Sequence, residues 1–262
     1  MSEQLKDKKI VIIGGTTGIG LSAAKMFIQQ GAQVIVSGRN EESCAEAKKV
    51  LGENARSISA DATRTGTAAE AIRLCIETFG DFDGLYHVAG GSGRKMGDGP
   101  LHELTLDGWN KTLELNLTSV MLSNQAAIKE FIRLKKAGTI LNMSSVLGFS
   151  PSPKYFSTHA YTAAKAAIIG LSKSIAAYYA KDGIRINVIA PALVETPMAQ
   201  RAANDETILS FIKTKQPLEG GRIGQPADLD GIAVYFMSDL SKFTTGQAVS
   251  IDGGWSVTEG QY

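Results

Sequence analysis

Short apolar runs alternate with longer amphipathic stretches along almost the whole chain, and this alternation constrains the fold more than any other feature. The apolar runs are rich in Ile and Val, and most of them do not alternate apolar with polar residues, which is typical of strands buried on both faces of a sheet. They fall at residues 9–13, 33–37, 55–59, 84–88, 138–143, 184–189 and 248–251. The stretches between them show helical periodicity, so the sequence predicts repeated strand-helix-strand units.

The helical stretches determine the layers of the predicted fold. They cover residues 18–30, 41–50, 66–79, 106–135, 158–181 and 227–238. Some of them end at a glycine, as helices commonly do. Because a crossover between parallel strands is right-handed, these helices should cover both faces of one sheet. The chain of 262 residues is therefore expected to be α/β, a single domain with a Rossmann-type, doubly wound, seven-stranded parallel sheet.

Composition excludes several broad classes of protein. Hydrophobic residues make up 44% of the chain and charged residues 20%, which argues against a disordered or fibrous protein. With 27 Lys and Arg against 26 Asp and Glu, the formal charge is +1. That balance does not suit binding of nucleic acid or anionic lipid through the net field. We therefore expect no nucleic acid and no membrane among the partners.

The cysteines and the N-terminus bear on the compartment. Cys44 and Cys75 each fall in a predicted helix, and they form neither a C-x-x-C metal pair nor a disulfide framework. Residues 1–9 are polar, and no apolar stretch approaches the ~18 residues that a membrane span needs. These features predict a soluble, cytoplasmic protein without a metal site.

A glycine-rich turn follows the first predicted strand. It reads Gly14-Gly15-Thr16-Thr17-Gly18-Ile19-Gly20 and leads directly into a predicted helix. Its glycines allow a sharp turn and a close approach of backbone to a pyrophosphate, whose charge the helix N-terminal amides can hold. An ordinary strand-to-helix turn can also be rich in glycine. The position of this one at the start of the chain favours dinucleotide binding.

The spacing of Tyr161 and Lys165 is the second chemical signal. Because they lie four residues apart in a predicted helix, the phenol and the ammonium share one helix face. A cation about 4 Å away, at an effective dielectric of about 20, contributes roughly 4 kcal/mol, or about three pK units. Lys165 is thus expected to lower the pKa of Tyr161 toward a value useful for acid-base catalysis. Taken alone, the same spacing also fits an ordinary pair on a helix surface.

Further motifs stand, in order, near the carboxyl ends of predicted strands, where sites form in α/β sheets. They are Asp61, Ala89-Gly90, Asn142-Met143-Ser144-Ser145, Pro191 with Thr196, Thr245-Gly246-Gln247 and Asp252-Gly253-Gly254. Together with the glycine-rich turn, Asn116, Tyr161 and Lys165, they resemble the short-chain dehydrogenase/reductase family in its single-domain form. The likeness covers essentially the whole chain.

The resemblance implies a catalytic set of Asn116, Ser145, Tyr161 and Lys165. By this likeness Tyr161 is the general acid in carbonyl reduction and the base in alcohol oxidation, and Ser145 hydrogen-bonds the same substrate oxygen. Lys165 lowers the tyrosine pKa and binds the nicotinamide ribose, while Asn116 holds a water in a proton relay. Taken singly, each has a structural alternative: Ser145 as a strand-end turn residue and Asn116 as a polar residue within a helix.

The resemblance also implies a set of cofactor contacts. The Val194 backbone and Thr196 would orient the nicotinamide, although Thr196 taken alone also fits a helix N-cap. The full set is Gly14, Thr16, Thr17, Gly18, Ile19, Gly20, Arg39, Asp61, Ala62, Ala89, Gly90, Tyr161, Lys165, Pro191, Val194, Thr196 and Met198.

The choice of cofactor depends on the end of the second strand, Ser37-Gly38-Arg39-Asn40. Where NAD-using relatives place an acid on the ribose hydroxyls, this chain has Gly38, followed by Arg39. No carboxylate in this motif repels a 2′-phosphate, and a guanidinium can bind one bidentately. We therefore predict NADP(H) over NAD(H). Use of both cofactors, with Arg39 as a solvated loop residue, is the alternative.

Three departures from the family pattern stand out. His87-Val88-Ala89-Gly90 replaces the usual Asn-Asn-Ala-Gly, and we interpret His87 as structural because an imidazole can hydrogen-bond backbone. Pro191-Ala192 replaces a common Pro-Gly. The loop over 145–161 is longer than is usual in the family and carries Tyr155, so it should reshape the substrate pocket without supplying a catalytic group.

Two segments bear on the substrate. The glycine-rich loop over 90–100 carries Arg94 and Lys95, which either meet an anionic group on the substrate or are simply solvated. The segment over 195–222 is where the family has its variable substrate lid. Its apolar residues fit either a substrate wall or the packing face of a helix. They are Met198, Ile208, Leu209, Phe211 and Ile212.

Together these features predict an NADP(H)-dependent enzyme that interconverts a ketone and a secondary alcohol in a small-molecule substrate, acting mainly as a reductase. A ketoacyl thioester, a sugar, a steroid and a small ketone all fit the sequence as substrate. Family resemblance implies a homotetramer. The alternatives are a non-catalytic NADP(H)-binding sensor, an NAD(H)-dependent alcohol dehydrogenase of the same family, and an epimerase or dehydratase. The sensor is disfavoured because all four catalytic positions are present. The last class is disfavoured because few residues follow Asp252-Gly253-Gly254.

Overall fold

The computed structural model describes residues 3–260, and its centre is one parallel sheet. The strands are β1 (Lys9–Ile13), β2 (Gln33–Gly38), β3 (Ala55–Ser59), β4 (Gly84–His87), β5 (Gly138–Met143), β6 (Ile184–Pro191) and β7 (Ala248–Ile251). Across the described residues their spatial order is β3-β2-β1-β4-β5-β6-β7. The predicted seven-stranded, doubly wound parallel sheet is confirmed.

The order of the strands reverses beside β1. This strand pairs with β2 on one side and β4 on the other, so that Ile12 lies opposite both Val36 and Tyr86. In open α/β sheets, such a reversal leaves a crevice at the carboxyl ends of the strands, where ligands bind. The glycine-rich turn follows β1 and therefore lies at this crevice.

Helices cover both faces of the sheet. They are α1 (Gly18–Gln29), α2 (Glu41–Leu51), α3 (Thr67–Phe79), α4 (Leu106–Leu113), α5 (Ser119–Leu134), α6 (His159–Tyr179), α7 (Gln200–Ala203), α8 (Glu206–Lys215) and α9 (Asp230–Met237). Within residues 3–260, none of them combines the length and the apolar character that crossing a membrane would require.

Successive residues of β1 pack into two different cores. Ile12 belongs to the cluster that contains Phe27 of α1, whereas Ile13 belongs to the cluster that contains Ile72 of α3 and Phe131 of α5. Because both faces of β1 are covered, each of its positions after Lys9 is buried. This two-sided burial explains the continuous apolar run from which the strand was predicted.

The prediction of a single helix over 106–135 is wrong, because the structure divides this segment into two helices. α4 ends at Leu113, a π-helical turn spans Glu114–Thr118, and α5 begins at Ser119. A π turn inserts one residue into a helix and occurs frequently at functional sites. Hydrophobic periodicity over 30 residues averages out one inserted residue, which is why the sequence pattern did not reveal it.

Other predicted boundaries differ from the structure by a few residues. The helix predicted over 227–238 begins with a 3₁₀ turn at Pro226–Leu229 before α9, because proline favours the first turn of a helix. The sixth strand continues to Pro191. The helix predicted over 158–181 is shorter, since α6 passes into a 3₁₀ turn at Ala180–Asp182.

Residues 195–222 contain α7 and α8 and lie beyond the carboxyl end of β6. Ile208 and Ile212 of α8 are buried in one cluster with Trp255, so these two side chains form a packing face. Met198 is 54% exposed. The side-chain amide of Gln216 both accepts from the Leu193 amide (2.9 Å) and donates to the Leu193 carbonyl (3.2 Å), which ties the end of α8 to the chain that follows β6.

Candidate active site

Helix α6 carries Tyr161 in its first turn and Lys165 one turn later. Lys165 is buried, and its Nζ lies 5.4 Å from the centre of the Tyr161 ring. The same Nζ donates to the Met143 carbonyl of β5 at 3.0 Å. The four-residue spacing therefore places both groups against the carboxyl end of the sheet.

Ser145 follows β5 and faces Tyr161. Its side chain hydrogen-bonds that of Tyr161. Its Oγ also lies 3.4 Å from the Pro191 carbonyl and accepts from the Leu147 amide at 3.3 Å, which caps a 3₁₀ turn at Val146–Gly148. The Ser145 hydroxyl thus caps a turn and also faces Tyr161, so both interpretations of this residue remain compatible with the structure.

Burial dominates the acid-base properties of the pair on α6. It raises the pKa of Tyr161 to about 12, and the hydrogen bond from Ser145 offsets only part of this rise. Burial also lowers the pKa of Lys165 to about 8. The expected lowering of the Tyr161 pKa by Lys165 is therefore wrong for this structure, since the ammonium lies over the ring and removal of the phenolate from water has the larger effect. Tyr161 accordingly keeps its proton at neutral pH, which is the form that a general acid needs.

Asn116 lies in the π-helical turn and is fully buried. Its Nδ2 donates to the carbonyls of Gly91 (2.9 Å) and Thr112 (3.0 Å), and its Oδ1 accepts from the Gly91 amide (3.1 Å). A Cβ placed on Gly90 would lie 2.8 Å from Asn116 Oδ1 and 3.4 Å from Lys165 Nζ. The side chains of Asn116 and Lys165 therefore meet at Gly90, where there is no room for a larger residue.

The turn after β1 is built for close backbone contact. Gly14 has φ +85°, and a Cβ there would lie 2.6 Å from the Ala89 nitrogen. A Cβ on Gly20 would collide with the Gly14 carbonyl. In the part of the chain that the structure describes, no side chain caps the first amides of α1 and its first turn has no acidic residue. These free amides and the helix dipole suit an anionic group, so the turn fits the pyrophosphate of a dinucleotide.

The chain after β6 meets this turn. The Cγ2 of Thr196 would lie 3.2 Å from a Cβ on Gly18, and Thr196 Oγ1 lies 3.4 Å from the Val194 carbonyl. Val194 is buried and forms an isolated parallel bridge with Gly224. The remaining predicted contacts stand near the carboxyl ends of strands or at the start of α1: Thr16, Thr17, Ile19, Asp61, Ala62, Ala89 and Pro191.

Arg39 follows β2 and is exposed. It lies near Asp61, whose pKa is held low mainly by the hydrogen bond from the Thr63 amide and further by the charge of Arg39. The Oδ1 of Asp61 accepts from both the amide and the hydroxyl of Thr63 at 2.9 Å. Ion pairs closer than 4.0 Å involve other arginines in residues 3–260, namely Arg73, Arg133 and Arg222. The Arg39 guanidinium is thus free to donate hydrogen bonds to a phosphate.

Gly38 packs directly against Thr16. A Cβ on Gly38 would lie 2.8 Å from Thr16 Cγ2 and 3.0 Å from Thr16 Cβ. An acidic side chain at position 38 would therefore force Thr16 to shift, apart from any effect of its charge. Sequence analysis missed this contact because the two residues belong to the ends of different strands.

His87 is buried below the site and is neutral. Its Nδ1 lies 2.7 Å from Ser123 Oγ, and its Nε2 lies 3.1 Å from the Ala89 carbonyl, to which it donates. Burial, together with the charge of Lys165, lowers the pKa of His87 to about 3. The predicted structural role of His87 is confirmed, since it joins β4 to α5 and supports the Ala89-Gly90 turn.

Asp98 is a residue of the site that sequence analysis did not identify. It is buried in the loop after β4, and its carboxylate accepts from the amides of Ala160 (3.0 Å) and Tyr161 (2.9 Å). A carboxylate at a helix N-terminus is stabilised by the free amides and the dipole. Asp98 therefore fixes the first turn of α6, where Tyr161 lies.

Comparison with known proteins identifies the family. A sequence profile described as "Enoyl-(Acyl carrier protein) reductase" matches residues 14–256. A solved short-chain type dehydrogenase/reductase from Mycobacterium ulcerans superposes with a TM-score of 0.88 at 28% identity, over 97% of this chain and 91% of that one. The chain belongs to the short-chain dehydrogenase/reductase family. It is an oxidoreductase of that family.

Two named relatives have nearly the same length as this short-chain dehydrogenase/reductase. The 2,5-dichloro-2,5-cyclohexadiene-1,4-diol dehydrogenase LinX of Sphingobium indicum is 34% identical, over 98% of this chain and 99% of the relative. The NADP-dependent (R)-specific alcohol dehydrogenase of Lentilactobacillus kefiri is 33% identical, over the same shares. The similarity thus extends over the whole fold and is not confined to the dinucleotide turn.

Proposed function

We propose that this chain is an NADP(H)-dependent oxidoreductase that interconverts a ketone and a secondary alcohol, acting mainly as a reductase. The observation that carries the proposal is the position of the Tyr161 hydroxyl beside Ser145 and Lys165 at the carboxyl end of the sheet. The NADP dependence of the Lentilactobacillus kefiri relative supports the choice of cofactor.

Tyr161 and Ser145 act on the substrate oxygen. In the direction of reduction, the carbonyl oxygen accepts hydrogen bonds from both hydroxyls, and Tyr161 transfers its proton as negative charge develops there. The phenol is protonated at neutral pH, as a tyrosine normally is, and burial raises its pKa further, to about 12. The bound nicotinamide supplies the hydride for the carbonyl carbon.

Lys165 and Asn116 are assigned to the relay that returns a proton from solvent to Tyr161. With a pKa of about 8, Lys165 Nζ can both give and take a proton near neutral pH. Asn116 lies beside it at Gly90 and is assigned the water that links Lys165 to solvent. Lys165 is also assigned to the nicotinamide ribose.

The remaining residues bind and orient the cofactor. The uncapped amides of α1 are assigned to the pyrophosphate, Arg39 to the 2′-phosphate, and Val194 with Thr196 to the nicotinamide end. A homotetrameric assembly, which rests on the family resemblance, and a cytoplasmic location, which rests on the cysteines and the polar N-terminus, belong to the same proposal. The segment over 195–222 is assigned as the substrate lid.

The test is consumption of NADPH, followed by absorbance, with a panel of ketones. Tyr161→Phe should lower kcat by roughly a hundred- to ten-thousand-fold, as expected for a lost general acid, while the Kd for NADPH stays within a factor of about two. Tyr178→Phe is the matched control, because Tyr178 is an exposed tyrosine on the same helix. Activity of Tyr161→Phe within about threefold of the parent would contradict the acid-base assignment. A parent that prefers NADH would contradict the cofactor assignment.

A further inference from the structure

Two arginines from different parts of the chain converge on one backbone oxygen. The Nη2 of Arg94, in the loop after β4, donates to the Tyr155 carbonyl at 3.0 Å. The Nη2 of Arg201, in α7, donates to the same carbonyl at 3.2 Å. The pair therefore stands where the loop after β4, the lengthened loop before α6 and the 195–222 segment meet.

The charge of this arginine pair lacks a direct counter-charge. Carboxylates within 4.0 Å of an arginine belong, in the described residues, to pairs formed by Arg73, Arg133 and Arg222. Burial and the nearby charge of Arg201 lower the pKa of Arg94, and Asp98 opposes them only in part. The Asp98 carboxylate, which also accepts from the amides of α6, offsets only part of the repulsion between the two neighbouring cations. An anion placed between them would relieve this repulsion.

Contacts within the protein orient the two guanidiniums, of which Arg94 is half-buried and Arg201 is exposed. The guanidinium carbon of Arg201 lies 5.9 Å from the centre of the Phe156 ring, in a cation-π contact. Each guanidinium has five N–H donors in a planar fork, and the Tyr155 carbonyl receives only one hydrogen bond from each. The pair can therefore offer further donors to a ligand at a small entropic cost.

One apolar cluster connects the arginine pair to the catalytic residues. Val146 and Leu147, which directly follow Ser145, pack in the same cluster as Tyr155 and Phe211. The rings of Tyr155 and Phe211 lie 5.1 Å apart. A substrate that reaches from the catalytic hydroxyls to the arginine pair thus passes an apolar surface.

We propose that Arg94 and Arg201 bind an anionic group of the substrate. The substrate class is then a keto acid, or the matching hydroxy acid, whose carboxylate is separated from the reacting carbon by a short apolar chain. A carboxylate suits the site because its planar oxygens match a guanidinium fork. The inference rests on the proposed function, because it names the substrate of the same site.

Matched substrates test the proposal. The kcat/KM values of 4-oxopentanoate, 5-oxohexanoate and 6-oxoheptanoate are compared with those of their methyl esters at one ionic strength. The parent should favour the acid over its ester at one chain length or more. The double variant Arg94→Gln/Arg201→Gln should reduce that acid-to-ester ratio by roughly ten- to a hundred-fold, as expected for lost charge-assisted hydrogen bonds. Lys95→Gln, at an exposed cation beside Arg94, should leave the ratio unchanged.

The ratio separates recognition from a merely structural clamp. If the two arginines only hold Tyr155, the double variant should lower turnover of acids and esters by the same factor, and that result overturns the proposal. A parent ratio near one at every chain length overturns it as well.

A binding measurement distinguishes failure of this proposal from failure of the proposed function. Hexanoate and hexanamide are titrated calorimetrically into the parent and the double variant, with and without NADP⁺. The parent should bind hexanoate more tightly than hexanamide, and the double variant should lose the difference. If no ketone is reduced while this difference holds, the reductase assignment fails and the anion site stands. Equal binding of the two compounds by the parent overturns the anion site.

Discussion

Replacing Gly38 by Asp tests whether cofactor preference at the end of β2 is set by charge alone or also by packing. Charge alone predicts that the carboxylate repels a 2′-phosphate, accepts from the free 2′-hydroxyl of NADH and inverts the preference. In the structure, however, a Cβ at position 38 would lie 2.8 Å from Cγ2 and 3.0 Å from Cβ of Thr16. Gly38→Asp alone should therefore disturb the glycine-rich turn and weaken the use of both cofactors.

The size of the effect follows from the crowding. Forcing a side chain into packed space costs about 1–3 kcal/mol. For a chain of this length that lowers Tm by roughly 2–4 °C for each kcal/mol. Adding Thr16→Ala removes Oγ1 and Cγ2 and leaves only the 3.0 Å contact with Cβ, so the double variant should recover most of the lost Tm. With the turn restored, the NADPH-to-NADH ratio of kcat/KM should shift toward NADH by roughly ten- to a hundred-fold, since a hydrogen bond to a charged group is worth about 1.5–3 kcal/mol.

The assay combines thermal denaturation with kcat/KM for both cofactors at one ionic strength, because phosphate contacts are screened by salt. Thr16→Ala alone is the matched control for the double variant. Arg39→Ala should remove most of the NADPH preference without a fall in Tm, because Arg39 is exposed. A Gly38→Asp variant with the Tm of the parent, or a double variant in which Thr16→Ala does not restore the Tm, would refute steric crowding at position 38.

Three further outcomes are expected. Burial raises the pKa of Asp230 to about 6, against a hydrogen bond from Ser22 that lowers it. The protonated carboxyl of Asp230 therefore stabilises the fold fully below pH 4, and this stabilisation is lost as the pH rises through 6. The free energy of unfolding of Asp230→Asn should increase by about 1–3 kcal/mol relative to the parent between pH 4 and pH 8. A Tm difference between variant and parent that is equal at both pH values would count against this. Tyr155→Phe should change KM by a few-fold and preserve kcat, because the Tyr155 contacts to the arginines use its backbone carbonyl; a loss of kcat like that of Tyr161→Phe would reverse the two assignments. Limited proteolysis of the apo protein should cut within 195–222 and be slowed by NADPH, and cleavage concentrated elsewhere would contradict the assignment of this segment as a lid.

Local pattern was sufficient for the sheet and for the spacing of Tyr161 and Lys165 on one helix. β1, β3, β5 and β7 begin and end where the sequence predicts. For β1 and β5 the reason is that a strand covered on both faces is apolar at most of its positions, whereas β3 and β7 are edge strands and only partly buried. The glycine-rich turn and the spacing of Tyr161 and Lys165 are likewise contained in a few consecutive residues. Each of these features is set by residues that are close in sequence, so it can be predicted without the tertiary structure. The resemblance to the family is based on the same short motifs.

Tertiary structure decided what depends on contacts between distant segments. The raised pKa of Tyr161 results from its burial, which the spacing to Lys165 does not report. Asp98 reaches the Tyr161 amide across more than 60 positions, and the contact of Thr16 with Gly38 depends on fractions of an ångström. Periodicity and spacing describe one element at a time, whereas desolvation, steric fit and the meeting of two like charges arise only when several elements pack together. For that reason the sequence by itself determined the fold and the family, and only packing determined the acidity of Tyr161 and the fit of the residues around it.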